Sequence, residues 1–262
     1  MNLSLTGKNA LICGGSKGLG EASAIEIAQL GASVTLLARN EEKLKTVLQK
    51  LDTSLGQQHG YIQADFSEGI VVLKTKIDKL LSEKNIHILL NNTGGPAGGT
   101  VQSATAEQFQ TAFHNHLLVS HSLVAWLKAG MIADNYGRII NIVSTSVRQP
   151  IPGLGVSNVT RGAMASWAKT LSNELATFGI TVNNILPGTT STERIDELLK
   201  YKQKANNISY DEAKNGMLSQ IPFGRFATPE EVGGVVAFMA SPAASYITGT
   251  SIPVDGGKIR SI

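Results

Sequence analysis

The stretch Leu11-Ile12-Cys13-Gly14-Gly15-Ser16-Lys17-Gly18-Leu19-Gly20 decides how this chain reads. Asn9–Cys13 has the apolar character of a buried strand. Gly18–Leu30 carries an apolar face through Ala24, Ile25, Ile27 and Ala28, at helical spacing. Between them the glycines permit a tight turn and let backbone N–H groups approach a pyrophosphate. The helix N-terminus adds a favourable dipole. Glycine also serves ordinary turns, so the spacing alone is weak. The strand–turn–helix setting gives it weight. The expectation is a dinucleotide cradle.

Outward from that turn, short apolar runs alternate with helical patterns. Strands are predicted at Ser33–Leu37, Tyr61–Ala64, Ile86–Leu90, Arg138–Val143, Thr181–Ile185 and Ser251–Val254. Helices are predicted at Glu41–Leu51, Ser67–Ser82, Ala106–Lys128 and Val156–Thr177. This succession implies crossover connections, hence an α/β fold with a doubly wound parallel sheet of about seven strands and helices on both faces. Residues Thr189–Phe223 hold helical pieces without a strand. Thr228-Pro229-Glu230-Glu231 then starts a helix, with a threonine cap, a first-turn proline and Glu231 closing a capping box. No linker divides the chain, so 1–262 is read as a single domain with an insertion at about 189–223.

Composition narrows the function classes. The chain has 262 residues, 42% hydrophobic and 16% charged, with a net charge of +3. That bias argues for neither nucleic acid nor a membrane surface. The single cysteine, Cys13, excludes an intrachain disulfide and reads as a small buried residue at a strand end. Polar residues interrupt the N-terminus, and no apolar run approaches the ~18 residues of a membrane span. A cytoplasmic location is expected. No His/Cys/acid cluster has metal-ligand spacing, so no metal is expected.

Gly14, Gly18 and Gly20 are spaced Gly-x-x-x-Gly-x-Gly. This resembles the short-chain dehydrogenase/reductase (SDR) family, which has a Rossmann fold, and the resemblance spans essentially the whole chain. Asp65, followed by Phe66, matches the family's adenine-contacting aspartate. Asn91-Asn92-Thr93-Gly94 resembles Asn-Asn-Ala-Gly. Asn141-Ile142-Val143-Ser144 resembles the catalytic serine segment. Pro187-Gly188-Thr189-Thr190-Ser191-Thr192 resembles the segment that holds the nicotinamide. Gly224-Arg225 and Asp255-Gly256-Gly257 match C-terminal signatures. The resemblance therefore implies cofactor contacts from Gly14, Ser16, Lys17, Gly18, Leu19, Gly20, Arg39, Asp65, Phe66, Asn92, Thr93, Gly94, Arg161, Pro187, Gly188, Thr190 and Thr192. An acid ending the second strand would bind a ribose hydroxyl and repel a 2′-phosphate. Here that strand ends Leu37-Ala38-Arg39-Asn40, and Arg39 can fork onto a phosphate with Lys17 nearby. The cofactor expected is NADP(H).

The same resemblance implies hydride transfer to or from a carbonyl carbon, assisted by an asparagine, serine, tyrosine and lysine. Asn115 and Ser144 match the first two. The positions for tyrosine and lysine, thirteen residues beyond Ser144 and four further, hold Ser157 and Arg161. A phenol with a pKa of ~10 can be tuned by a nearby cation, whereas an alkyl hydroxyl is a far weaker acid. Arginine keeps its charge and cannot pass a proton on. A positioned general acid contributes about 10²–10⁴ in rate. Its uncompensated loss raises the barrier by roughly 3–5 kcal/mol. Other candidates are His114 and His116, expected at a helix surface or subunit interface, Tyr201 and Tyr210, expected to pack the insertion on the body, and Arg148. Lys200, Lys202, Lys204 and Arg194 make the insertion basic. Two readings stand: a 3-oxoacyl-(acyl carrier protein) reductase-like enzyme acting on a small carbonyl or acyl-thioester substrate, or an NADP(H)-binding homologue with little turnover acting as sensor, regulator or partner subunit. A homo-oligomer, dimer or tetramer, is expected by resemblance.

Overall fold

A computed structural model describes residues 1–261. Seven strands form one parallel sheet in the order β3-β2-β1-β4-β5-β6-β7. They are β1 (Asn9–Cys13), β2 (Ser33–Ala38), β3 (Gly60–Gln63), β4 (Ile88–Asn91), β5 (Gly137–Ile142), β6 (Ile180–Pro187) and β7 (Ser251–Val254). The order reverses between β1 and β4, because β2 and β3 lie on one side of β1 and all later strands on the other. In sheets of this kind that crevice, at the carboxyl ends of the strands, is where ligands bind.

Two apolar layers cover the sheet. One face packs against α1 (Gly18–Gln29), α2 (Glu41–Leu48) and α9 (Pro229–Ala240), burying Ile12, Ile27, Leu36, Leu44 and Val236 together. The opposite face packs against α3 (Ile70–Leu81), the Ala106–Ala133 helix and α6 (Gly155–Leu175), burying Leu11, Ile77, Leu89, Leu123 and Val182. The strands are therefore apolar on both faces, as parallel sheets are. The insertion holds α7 (Glu193–Asn206) and α8 (Tyr210–Leu218), with a small core of their own around Leu199, Ala213 and Met217.

Several boundaries differ from the sequence reading, for local reasons. The helix predicted from Ser67 begins at Ile70, because Gly69 at φ +96° separates it from a 3₁₀ turn at Phe66–Glu68. The helix predicted to end at Lys128 continues to Ala133. It is built of α4 (Ala106–Phe113), a π-helical turn (His114–Leu118) and α5 (Val119–Ala133). An 18-residue window of this 28-residue helix has mean hydropathy 1.2, so by length and composition it could cross a membrane, which the sequence reading did not foresee. Its buried residues Val119, Leu123, Leu127 and Met131 pack into the core beneath the sheet.

Candidate active site

The site is built at the carboxyl ends of β1, β4, β5 and β6. After β1, the Gly14 N–H donates to the Leu37 carbonyl at 2.8 Å, folding the chain back over the sheet edge. Gly14 (φ +63°) and Gly18 (φ +59°) hold left-handed conformations that favour glycine. At Gly20 the constraint is contact: a Cβ there would lie 2.2 Å from the Gly14 carbonyl oxygen, and one on Gly14 would lie 2.6 Å from Asn92 Nδ2. Lys17 occupies the N-cap of α1 and gives no side-chain cap. The first backbone N–H groups of α1 therefore point outward without a side-chain acceptor, the arrangement that receives an anion. A dinucleotide's pyrophosphate fits these residues.

Four polar side chains are held in strand register beside this turn. Asn91 donates Nδ2 to Asn141 Oδ1 (2.8 Å), Asn141 to Asn184 Oδ1 (2.9 Å), and Asn184 to Ser251 Oγ (3.1 Å). Each pair faces directly across neighbouring strands. Asn92 instead turns its Nδ2 to the Cys13 carbonyl at 3.3 Å and ties β4 to the glycine turn. Asn91 Oδ1 ends the ladder, buried and without a partner among the described residues. It lines a small cavity with Cys13, Phe66, Asn115, His116 and Arg161. A buried acceptor of this kind is a place for an ordered water.

Asn115 reaches that cavity from the π-helical turn, a distortion that often accompanies functional residues. His116, expected at a surface or interface, is buried instead at 3% exposure. The widened turn and the packing of Ala106–Ala133 on the sheet carry it inward. Burial, helped by the Arg161 charge, pushes its imidazole down to about 3, so it is neutral at physiological pH. His114 is partly buried and donates Nε2–H to the Phe66 carbonyl at 3.0 Å.

Ser144 follows β5 in extended backbone and its Oγ accepts from the Ser146 N–H at 3.1 Å. Ser157 and Arg161 lie one turn apart near the start of α6, which packs on the turn after Ser144. Both serines are half-buried. Arg161 is buried and donates Nη1–H to the Ile142 carbonyl at 2.7 Å. Burial lowers its guanidinium to about 10, which still leaves it charged near neutrality. It thus places a fixed cation behind the strand ends. Gly155 admits the start of α6 because a Cβ there would meet the Val101 N at 2.5 Å.

None of the five tyrosines supplies a phenol to this cavity. Tyr61 donates to Glu41, Tyr136 to the Ala240 carbonyl and Tyr210 to Asp196, while Tyr246 is fully exposed. Tyr201, expected to pack the insertion on the body, is 62% exposed, and Tyr210 joins α8 to α7 rather than to the body. Cys13 is buried as expected, its thiol pushed up to about 12 by burial.

The remaining predicted residues follow the carboxyl ends of the strands. Gly188 packs against Asp255, where a Cβ would lie 2.7 Å from its Cα, and donates to the Val254 carbonyl at 2.9 Å. Thr190 is buried, and the Thr192 methyl lies 3.5 Å from where a Gly18 Cβ would be. Asp65 caps the 3₁₀ turn at Phe66–Glu68, accepting from the Ser67 N–H at 2.9 Å, and lies 3.7 Å from Arg39. The hydrogen bonds from Ser67, then the Arg39 charge, hold its carboxyl below the usual range. Thr93 is half-buried and Gly94 exposed beside the cavity, and Ser16 and Leu19 are half-buried in the glycine turn.

Comparison with known proteins agrees with this architecture. The family profile described as enoyl-(acyl carrier protein) reductase matches residues 14–258. A 3-oxoacyl-(acyl carrier protein) reductase, FabG, of Rickettsia prowazekii (strain Madrid E) is 32% identical, with 98% of this chain and 99% of the relative covered. The chain belongs to the short-chain dehydrogenase/reductase family. Another SDR relative, the NADPH-dependent reductase BacG of Bacillus subtilis (strain 168), is 28% identical over 97% of this chain and 99% of its own length. Among solved structures, L-sorbose reductase from Gluconobacter frateurii, complexed with NADPH and L-sorbose, superposes with a TM-score of 0.92 at 29% identity over 100% of both chains. The seven-strand parallel sheet expected from the sequence is the fold these SDR structures share.

Proposed function

We propose that this protein is an NADP(H)-dependent carbonyl reductase of the SDR family, resembling 3-oxoacyl-(acyl carrier protein) reductases, with Ser157 and Arg161 in place of the usual tyrosine and lysine. The observation that carries this reading is the convergence of the uncapped α1 N-terminus, Ser144 and the buried Arg161 at one end of the sheet. NADPH, when bound, supplies hydride to the carbonyl carbon. The glycine turn and α1 hold its pyrophosphate, with Ser16, Leu19, Asn92, Thr93, Gly94 and the Pro187–Thr192 segment shaping the cleft. Arg39 and Lys17 take the 2′-phosphate, and Asp65 and Phe66 border the adenine.

Ser144 donates its hydroxyl to the substrate oxygen and polarises the carbonyl. Arg161 holds a positive charge near the developing alkoxide and orients ribose hydroxyls, without giving up a proton. Asn115 and Asn91 hold a water in the small cavity. Ser157 positions the substrate oxygen, and the proton is drawn from water instead of a phenol. Positioning and charge stabilisation keep the reaction going at a reduced rate. The replaced phenol favours one other reading, an NADP(H)-binding subunit with little turnover.

The α7–α8 insertion is read as a lid over the substrate, on a single-domain body. Exposed apolar residues on two helices and the turn after α6 — Leu118 at 48%, Val159 at 44% and Phe178 at 43% — support a homo-oligomer built on those surfaces. The substrate class is a small carbonyl or acyl thioester, and the location cytoplasmic. The test is Ser157→Tyr with Arg161→Lys: the double variant gains NADPH-dependent carbonyl reduction by at least tenfold over the parent. No gain in a folded double variant that binds NADPH would contradict the proposed geometry.

A further inference from the structure

Three consecutive residues at the start of α7 strap the insertion across the cofactor crevice. Thr192 covers Gly18 of the glycine turn. Glu193 reaches two lysines from different elements: Oε2 bonds Lys17 Nζ in the glycine turn, and Oε1 lies 3.4 Å from Lys43 Nζ in the first turn of α2. Arg194 crosses the other way, donating Nη2–H to the Pro96 carbonyl at 3.1 Å. The two cations hold the Glu193 carboxyl below its usual range, Lys17 having the larger effect. One carboxylate thus carries a lysine on each of its two oxygens, one of them the Lys17 assigned above, with Arg39, to the 2′-phosphate. Lys43 is otherwise a half-exposed surface cation.

We propose that Lys43 joins Lys17 as a binding residue for the 2′-phosphate of NADP(H), and that Glu193 is an internal stand-in for that phosphate, seated on the same two lysines until the cofactor displaces it. The inference rests on the NADP(H) reading and adds two residues to it. A phosphate carries more charge and more acceptor oxygens than a carboxylate, so it wins the lysines when present. Displacement costs Glu193 little, because it lies in the first turn of α7, where the helix dipole still favours an acid. NADH lacks the phosphate and leaves the latch closed. Glu193 thereby sets cofactor selectivity and ties arrival of the phosphate to release of the insertion.

The test is titration of NADPH and NADH into the full-length protein, followed by nicotinamide fluorescence, for the parent, Lys43→Met and Glu193→Gln. Lys43→Met is expected to weaken NADPH about five- to tenfold and leave NADH unchanged, from the strength of a charge-assisted bond to an exposed cation. Glu193→Gln is expected to tighten NADPH about two- to fivefold, with NADH again unchanged. Trypsin cleavage at Lys200, Lys202 and Lys204 of α7 reports the latch separately. Adenosine 2′,5′-bisphosphate should accelerate cleavage in the parent, adenosine 5′-monophosphate should not, and Glu193→Gln should cleave fast without either. If the parent prefers NADPH but neither variant changes the NADPH-to-NADH ratio, the inference falls and the NADP(H) reading stands. If the parent shows no preference for NADPH, both fall. Weaker NADH binding in Glu193→Gln would make Glu193 a ribose ligand and overturn the proposal.

Discussion

His116 offers a sharp physical prediction, because the sequence gives no sign of its environment and the structure buries it. With a folded value of about 3 against the ordinary 6.5, the folded protein keeps this imidazole neutral down to low pH. The unfolded chain does not. The group therefore contributes stability that is fully present above about pH 6.5 and is lost as pH falls toward 3. Between pH 7 and pH 5 the unfolded imidazole becomes protonated while the folded one remains neutral. Linkage puts the cost to the folded state at roughly 2 kcal/mol over that interval. His116→Gln removes the titration and keeps a polar side chain beside Asn115 and Arg161. Urea unfolding of parent and variant, at pH 7 and pH 5 and one protein concentration, is the assay. The parent should lose about 2 kcal/mol more than the variant between the two pH values. His87, which burial also shifts downward, contributes equally to both proteins and cancels. Equal losses in parent and variant would refute the reasoning.

Further outcomes follow from the same geometry. Gly20→Ala forces a Cβ against the Gly14 carbonyl, so equilibrium titration should show NADPH binding weakened at least tenfold, with roughly 1–3 kcal/mol lost from stability. Thr228→Ala removes a capping box in which Thr228 accepts from Glu231 and Glu231 from Thr228; unfolding should show about 1 kcal/mol of destabilisation. Leu36→Ala empties a fully buried site on β2 and should cost about 2–5 kcal/mol in the same assay.

The glycine turn was legible to the residue because each glycine answers a local demand. Left-handed backbone at Gly14 and Gly18 favours glycine, and the contacts at Gly14 and Gly20 leave no room for a Cβ, so the requirement is written in the sequence itself. Strand and helix order was legible for a similar reason, since apolar periodicity is a local property. The capping box at Thr228 was equally plain. The π-helical turn was not, for His114–Leu118 contains no glycine or proline to mark a distortion. The burial of His116 follows from that turn and was missed with it. The Asn91–Asn141–Asn184–Ser251 ladder depends on strand register, which joins residues far apart in sequence. Glu193 and Lys43, 150 residues apart, meet only because the insertion folds back over the crevice. Local constraints left marks in the sequence, while side-chain partnerships between distant elements did not.

The central claim is that Ser144, Ser157 and Arg161 still support NADPH-dependent carbonyl reduction without a tyrosine. It is tested most directly by following NADPH oxidation at 340 nm, a wavelength at which reduced nicotinamide absorbs, with purified protein and a panel of β-ketoacyl thioesters and small ketones. The account predicts slow turnover on at least one β-ketoacyl or ketone substrate, falling at least a hundredfold in Ser144→Ala while NADPH binding is kept. Tight NADPH binding with no oxidation across the whole panel would contradict it, and would leave a cofactor-binding protein without this chemistry.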